Sequence, residues 1–229
     1  MAGKAGSDEQ LRVALWLQPR PGSPLHTVLR QTIVGLAPVF DDAPVFMPHV
    51  TLVTGIHVHN QGEIDLVLDS AFAAAKSVPQ LTVRFDKITY GSTFFRKVVF
   101  EVLPLAELIS LAAIAKEEFV LYPHLKYRLG LQPENKHKSS DELHADAVQQ
   151  ATKEANTWVK EQFRPHLSLV YSDLYPVSES ARHTVHQRLQ DVFGPGYEQR
   201  GLGWQGGQLA LVQCEGPVES WRVLGTRNI

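Results

Sequence analysis

The chain reads as an α+β fold of two pseudo-two-fold-related lobes, each an antiparallel sheet with flanking helices, with an active-site cleft between them. Three observations predict it. First, two strings repeat one order of residue types: Met47-Pro48-His49-Val50-Thr51-Leu52-Val53, and Arg164-Pro165-His166-Leu167-Ser168-Leu169-Val170-Tyr171. Second, each string is flanked by the same succession of patterns, a helix before it and a helix and two strands after it. Third, 229 residues at 44% hydrophobic and 20% charged suit one large domain or two small lobes.

The elements follow in order. Residues 1–10 are polar and read as a disordered tail, leaving 11–229 as a single bilobal domain. Leu11 to Leu17 alternates as a strand, with Val13, Leu15 and Leu17 on one face and Ala14 and Trp16 on the other. Leu25, Val28, Leu29, Ile33 and Leu36 recur at helical spacing, and Asp41-Asp42-Ala43-Pro44 turns into the first motif strand. Residues 62–77 carry a second helical stripe; 81–88 and 96–103 read as a hairpin across Tyr90-Gly91-Ser92. Pro104 opens a helix expected to run to Phe119, and 130–142 is polar and unpatterned, an expected loop. A helix over 143–163 leads into the second motif strand. Another spans 178–192, the glycine-rich 194–207 stretch is a loop, and 208–214 with 221–224 closes the chain as a hairpin.

Within each motif, alternation projects histidine and hydroxyl to one face and sets aliphatic side chains behind them. Two lobes bring His49 with Thr51 and His166 with Ser168 to one cleft. Two imidazoles across a cleft suit paired general acid and general base work near neutral pH, each proton transfer contributing on the order of 10² to 10⁴ in rate. In so open a cleft both rings are expected to titrate within about two units of the ordinary ~6.5. The neighbouring hydroxyls can donate to the oxygens of a phosphate, so the set suits in-line displacement at phosphorus. A single such dipeptide unit is commonplace; the repetition carries the signal.

These strings, with Ala14-Leu15-Trp16, Phe94-Phe95-Arg96-Lys97-Val98 and the continuation to Ser172-Asp173, resemble the two-histidine phosphoesterase superfamily, and within it the fungal and plant cyclic phosphodiesterases. The likeness runs from about Val13 to the C-terminus. It implies metal-independent hydrolysis of nucleoside 2′,3′-cyclic phosphates to 2′-phosphates. It also implies conversion of ADP-ribose 1″,2″-cyclic phosphate, a by-product of tRNA splicing, to ADP-ribose 1″-phosphate. It implies His49 and His166 as proton donor and acceptor, Thr51 and Ser168 as phosphate ligands, and Tyr171 as a substrate contact. Strict alternation places Tyr171 opposite His166, so either the strand bends or bulges before it or its ring reaches the cleft from a strand end. Trp16 and Phe95 serve equally as base-stacking surfaces or as packing, and Arg96-Lys97 as a phosphate border or an exposed hairpin end.

No cofactor and no metal are expected: His57-Val58-His59 has an alternating spacing found in metal sites but no accompanying acidic or thiol cluster. The expected partner is a small-molecule cyclic phosphate. A net charge of −2 speaks against gripping long nucleic acid, and the apolar runs are too short for membrane insertion. Cys214 is the only cysteine, so the expected compartment is the cytoplasm, with peripheral endomembrane association still compatible. The sequence leaves open the oligomeric state and which histidine is the base. An RNA 2′,3′-cyclic phosphate end-processing enzyme and a non-catalytic nucleotide-binding module are the alternatives.

Overall fold

The structure, a computed structural model, describes residues 10–229; the expected tail, Gln10 apart, lies outside the described residues. Its strands are β1 (Leu11–Gln18), β2 (Val50–Val58), β3 (Thr82–Tyr90), β4 (Val98–Val102), β5 (His166–Val170), β6 (Gly203–Gln205), β7 (Gln208–Gln213) and β8 (Arg222–Asn228). The helices are α1 (Pro24–Leu36), α2 (Gln61–Ser77), α3 (Ala106–Lys116), α4 (Tyr122–Leu131), α5 (Ser140–Glu161) and α6 (Glu179–Phe193). The α+β class therefore holds. All eight strands form one antiparallel sheet in the order β6-β3-β4-β5-β2-β1-β7-β8.

That order places four strands on each side of the seam between the motif strands, β5 and β2. The hairpin following each motif strand crosses to the other side: β3–β4 lies beside β5, and β7–β8 lies beside β1. Each half is thus built from separated stretches of chain. The seam itself holds one registered pair, Val50 with Leu167. On that register His49 stands opposite Ser168, and Thr51 opposite His166. Beyond the pair the two strands part, which makes room for a cleft.

Alternation sorts β1 as its sequence implies. Val13, Leu15 and Leu17 enter the main core with Leu29 and Ile33 of α1, Leu68 of α2, Leu108 of α3 and Leu189 of α6. Ala14 and Trp16 face the other way and pack with Ala210 and Val212 of β7. Helix α2 lies so close on β8 that a Cβ on Gly225 would meet Leu68 Cδ1 at 2.6 Å. The helices thus back the sheet, and its opposite face is left for the motif side chains.

Two expectations change in the helical segment. Helix α3 does not stop at Phe119 but passes through a π turn, Glu117–Leu121, straight into α4. Pro123, which has no N–H to donate to the preceding turn, follows directly on this π turn, where the regular hydrogen-bond ladder is already interrupted. Residues 130–142 are not a plain loop. They hold the end of α4, a 3₁₀ turn at Pro133–Asn135 and the start of α5. Ser139 caps α5 by accepting from the Glu142 N–H at 3.3 Å, and the Glu142 carboxylate accepts in return from the Ser139 N–H at 2.7 Å.

Leu167 is fully buried at the only registered pair of the seam. Leu167→Ala should therefore cost about 2–5 kcal/mol of stability, as large-to-small core substitutions do. Urea unfolding monitored by circular dichroism checks this, and a loss below about 1 kcal/mol would show that the seam collapses around the cavity.

Candidate active site

The cleft at the seam has a volume of about 680 Å³ and is lined by His49, Thr51, His166, Ser168 and Tyr171, the five residues that the resemblance implies for proton transfer and substrate contact. Arg12, Thr54, Arg96 and Trp221 line it too.

Both imidazoles are fixed in the same way. His49 Nδ1 lies 2.7 Å from the Met47 carbonyl oxygen, and His166 Nδ1 lies 2.8 Å from that of Arg164. A carbonyl only accepts, so each Nδ1 carries the hydrogen and each neutral ring has its lone pair on Nε2. The intervening residue is proline in both motifs, Pro48 and Pro165. Proline's fixed φ, and the extended backbone it imposes on the residue before it, hold that carbonyl where the ring can reach it. The Pro-His pair is thus a device for tautomer selection.

The two strands also break alternation at the same place. Between β4 and β5, Val99 pairs with Ser168 and Val98 with Val170, so Leu169 is an extra residue on β5. Between β1 and β2, Trp16 pairs with Thr51 and Leu15 with Val53, so Leu52 is extra on β2. Each bulge puts two successive residues into the core, Leu52-Val53 and Leu169-Val170, and returns the next side chain to the cleft. That next residue is Tyr171 on β5 and Thr54 on β2. The bulge resolves the misplacement of Tyr171 and exposes Thr54 as its counterpart, a residue strict alternation missed. Two aliphatics in a row directly after the hydroxyl, in both motifs, were the available signal.

Aromatic rings enclose His49. Trp16 lies flat on it, ring centroids 3.6 Å apart and planes 7° apart, and Phe46 meets it edge-on at 6.2 Å. Tyr171 stacks on Phe46 at 3.8 Å and places its hydroxyl 3.4 Å from His49 Nε2. With the lone pair on Nε2, the phenol is the donor, and burial pushes its pKa up so that it keeps its proton. Burial lowers the His49 pKa to about 4; the Met47 carbonyl opposes the shift and His166 adds to it. So deep a burial of His49 departs from the partly open cleft that the sequence implies. Trp16 and Phe46 exclude the water that would solvate an imidazolium. His166 is less enclosed and is lowered too, by burial first, with its Arg164 bond opposing and the Arg96 charge adding.

Trp16 therefore acts as packing on a histidine and offers no free face there for a base. Phe95 and Trp221, 6.0 Å apart and tilted by 33°, wall the mouth instead. Trp221 had no distinguishing pattern in the sequence. Arg96 and Lys97 part company: Arg96 lines the cleft, whereas Lys97 is fully buried with its ammonium 5.4 Å from the Tyr175 ring. Ser168 donates its hydroxyl hydrogen to the Phe95 carbonyl at 2.8 Å. Cys214 also lines the cleft, but burial pushes its thiol up to about 12, far from a reactive thiolate. His59 bonds Glu63 at the start of α2, and neither it nor His57 lines the cleft. Among the described residues no three His, Cys, Asp or Glu side chains gather as a metal set, and no helix is long and apolar enough to cross a membrane.

The seam thus presents two Nε2 atoms and two hydroxyls to one cleft. The chain belongs to the family described as cyclic phosphodiesterase-like protein, whose profile matches residues 11–229. It is 47% identical over 216 residues to a 2′,3′-cyclic-nucleotide 3′-phosphodiesterase of Yarrowia lipolytica, covering 94% of this chain and 98% of the relative. Proteins of the same description from Kluyveromyces lactis and Saccharomyces cerevisiae are 32% and 27% identical, covering 93% and 96% of this chain and 96% and 100% of their own.

Trp16→Leu should raise the His49 pKa from about 4 toward 6.5, because water then reaches the ring. A proton NMR titration of the imidazole measures it; an unchanged midpoint would show that Trp16 does not control the desolvation.

Proposed function

We propose that this chain hydrolyses nucleoside 2′,3′-cyclic phosphates to 2′-phosphates, with two histidines as base and acid and without a metal. The observation that carries the reading is the pair of Nδ1–H bonds to the Met47 and Arg164 carbonyls, which turns both Nε2 atoms to proton transfer, that of His49 once the Tyr171 hydroxyl shifts from it to the substrate. The names of the relatives support the bond cleaved, the one to the 3′ oxygen. Water attacks phosphorus in line with that bond and loses its proton to one Nε2. The other Nε2–H protonates the departing 3′ oxygen, and the 2′ ester remains.

His49 is the base and His166 the acid. His49 is the more deeply buried ring and the one from which a proton is more readily lost; His166, nearer solvent, keeps one more readily. The phosphate's negative charge raises the proton affinity of both rings, and His166 takes the proton first. Thr51 donates its hydroxyl to a non-bridging oxygen, and its side chain has no hydrogen-bond partner to give up among the described residues. Ser168 binds the phosphate by turning its hydrogen from the Phe95 carbonyl. Tyr171 contacts the substrate beside His49, while Phe95 and Trp221 offer apolar faces to a base. ADP-ribose 1″,2″-cyclic phosphate presents the same five-membered ring on a ribose, so the same groups open it to ADP-ribose 1″-phosphate and link the chain to the by-products of tRNA splicing. A cytoplasmic location accords with that reading.

His49→Ala and His166→Ala should each lower turnover of adenosine 2′,3′-cyclic phosphate by on the order of 10² or more, and the double variant by far less than the product. Phosphorus NMR should find the 2′-phosphate as product, and chelator should leave the rate unchanged. Because both rings are lowered in the free enzyme, the kcat/KM profile should be centred below pH 6.5, with the acidic limb set by His49. A variant of either histidine with wild-type turnover, or activity lost in chelator and restored by zinc or magnesium, would overturn the reading.

A further inference from the structure

Two cations, Arg12 and Arg96, line the cleft, and Arg96 is the one beside the proposed acid's strand. It lines the cleft with His166 and Ser168, and its charge is felt at His166. The ion pairs among the described residues engage His59, Lys87, Lys138 and Arg227, not Arg96. Its side chain makes no hydrogen bond within the described chain either. Arg96 is thus a half-buried guanidinium facing the cleft with no ion-pair partner among the described residues, placed to take an anion.

The segment that carries it is held in place. The Phe94–Arg96 turn sits between β3 and β4, where the Gly91 N–H donates to the Lys97 carbonyl at 3.1 Å and the Arg96 N–H to that of Thr93 at 3.1 Å. The Ser172 N–H, just beyond β5, donates to the Phe94 carbonyl at 3.1 Å, and the Ser168 hydroxyl to that of Phe95 at 2.8 Å. A Cβ on Gly91 would meet the Arg96 carbonyl oxygen at 2.2 Å, so this close approach requires glycine. The second motif strand and the residues just beyond it therefore hold the turn at two consecutive carbonyls, and the bond to Phe94 stays when Ser168 turns its hydrogen to the phosphate. Lys97, the next residue, is turned into the interior. The arrangement aims one cation of the pair at the cleft and spends several bonds on fixing it.

We propose that Arg96 is a catalytic residue: its guanidinium binds a non-bridging oxygen of the cyclic phosphate and stabilises the charge gathering there as the bond to the 3′ oxygen breaks. This rests on the two-histidine reading above. Arg suits the task because its planar fork meets two phosphate oxygens at once and stays charged at every working pH. The same charge has a second consequence. In the empty cleft it opposes protonation of His166; once an anionic phosphate lies between them, that opposition is offset. The other titratable or charged groups that line the cleft with His166 are His49 across the seam, Tyr171 just beyond β5, and Arg12, Cys214 and Glu215. Glu101, opposite it on β4, is 3.7 Å from Lys87 and does not line the cleft.

The test compares R96Q and R96K with the wild type on adenosine 2′,3′-cyclic phosphate, measuring kcat/KM from pH 4 to 9 and inhibition by adenosine 2′-phosphate. R96Q should lower kcat/KM by about 10²- to 10³-fold, the range for loss of one preorganised charge-stabilising donor. It should weaken adenosine 2′-phosphate and move the alkaline limb to higher pH, since His166 then holds its proton more easily. R96K should recover at least tenfold of the loss and keep the limb near its wild-type position. R96Q within threefold of an active wild type overturns the role of Arg96 and leaves the histidines standing. A loss that R96K does not relieve, with the limb unmoved, marks a structural role and overturns it as well. No wild-type turnover at all overturns both readings.

Discussion

Each motif imidazole is held by one hydrogen bond, from Nδ1–H to the carbonyl two residues upstream across a proline. The rest of the site depends on that bond. It selects the tautomer, fixes the ring against rotation and turns Nε2 toward the cleft in both halves. Without it a histidine could present either nitrogen, and the matched pair at the seam would be lost. The register of Val50 with Leu167 then sets each ring opposite the hydroxyl of the other motif. A local contact and a single long-range pair together place four chemically active side chains.

The surroundings make the two rings unequal. Trp16 covers one face of His49, and the Tyr171 hydroxyl approaches its Nε2. His166 instead has a guanidinium for a neighbour and more open access to water. A nearly symmetric pair in sequence thus becomes an asymmetric one in proton affinity, as a division into base and acid requires. The bulges at Leu52 and Leu169 add to the lining, since each puts the next cleft-facing position one residue later than a regular strand would, at Thr54 and Tyr171.

Much of this was legible in the chain. The α+β class, the two motif strands, the face of Trp16 and the gathering of His49, Thr51, His166, Ser168 and Tyr171 in one cleft followed from periodicity, repetition and resemblance. What was not legible depended on contacts that no local pattern records. The crossing of β3–β4 and β7–β8 to opposite sides of the seam is a choice of neighbours made by the whole sheet. The parting of Arg96 from Lys97 follows from the grip of β5 on the preceding turn. Trp221 reaches the cleft only because β8 brings the chain end back past β7. The capping box of Ser139 and Glu142 and the paired aliphatics after each hydroxyl were visible, and alternation alone passed over them.

The claim on which the account turns is that substrate charge places a proton on His166 while His49 stays neutral. Nitrogen NMR of the histidine-labelled protein, free and bound to adenosine 2′-phosphate near pH 7, tests it directly. The account predicts two neutral rings with hydrogen on Nδ1 in the free protein, and on binding a second proton at Nε2 of His166 alone. Protonation of His49 in the complex, or hydrogen on Nε2 rather than Nδ1 of either ring in the free protein, would contradict it.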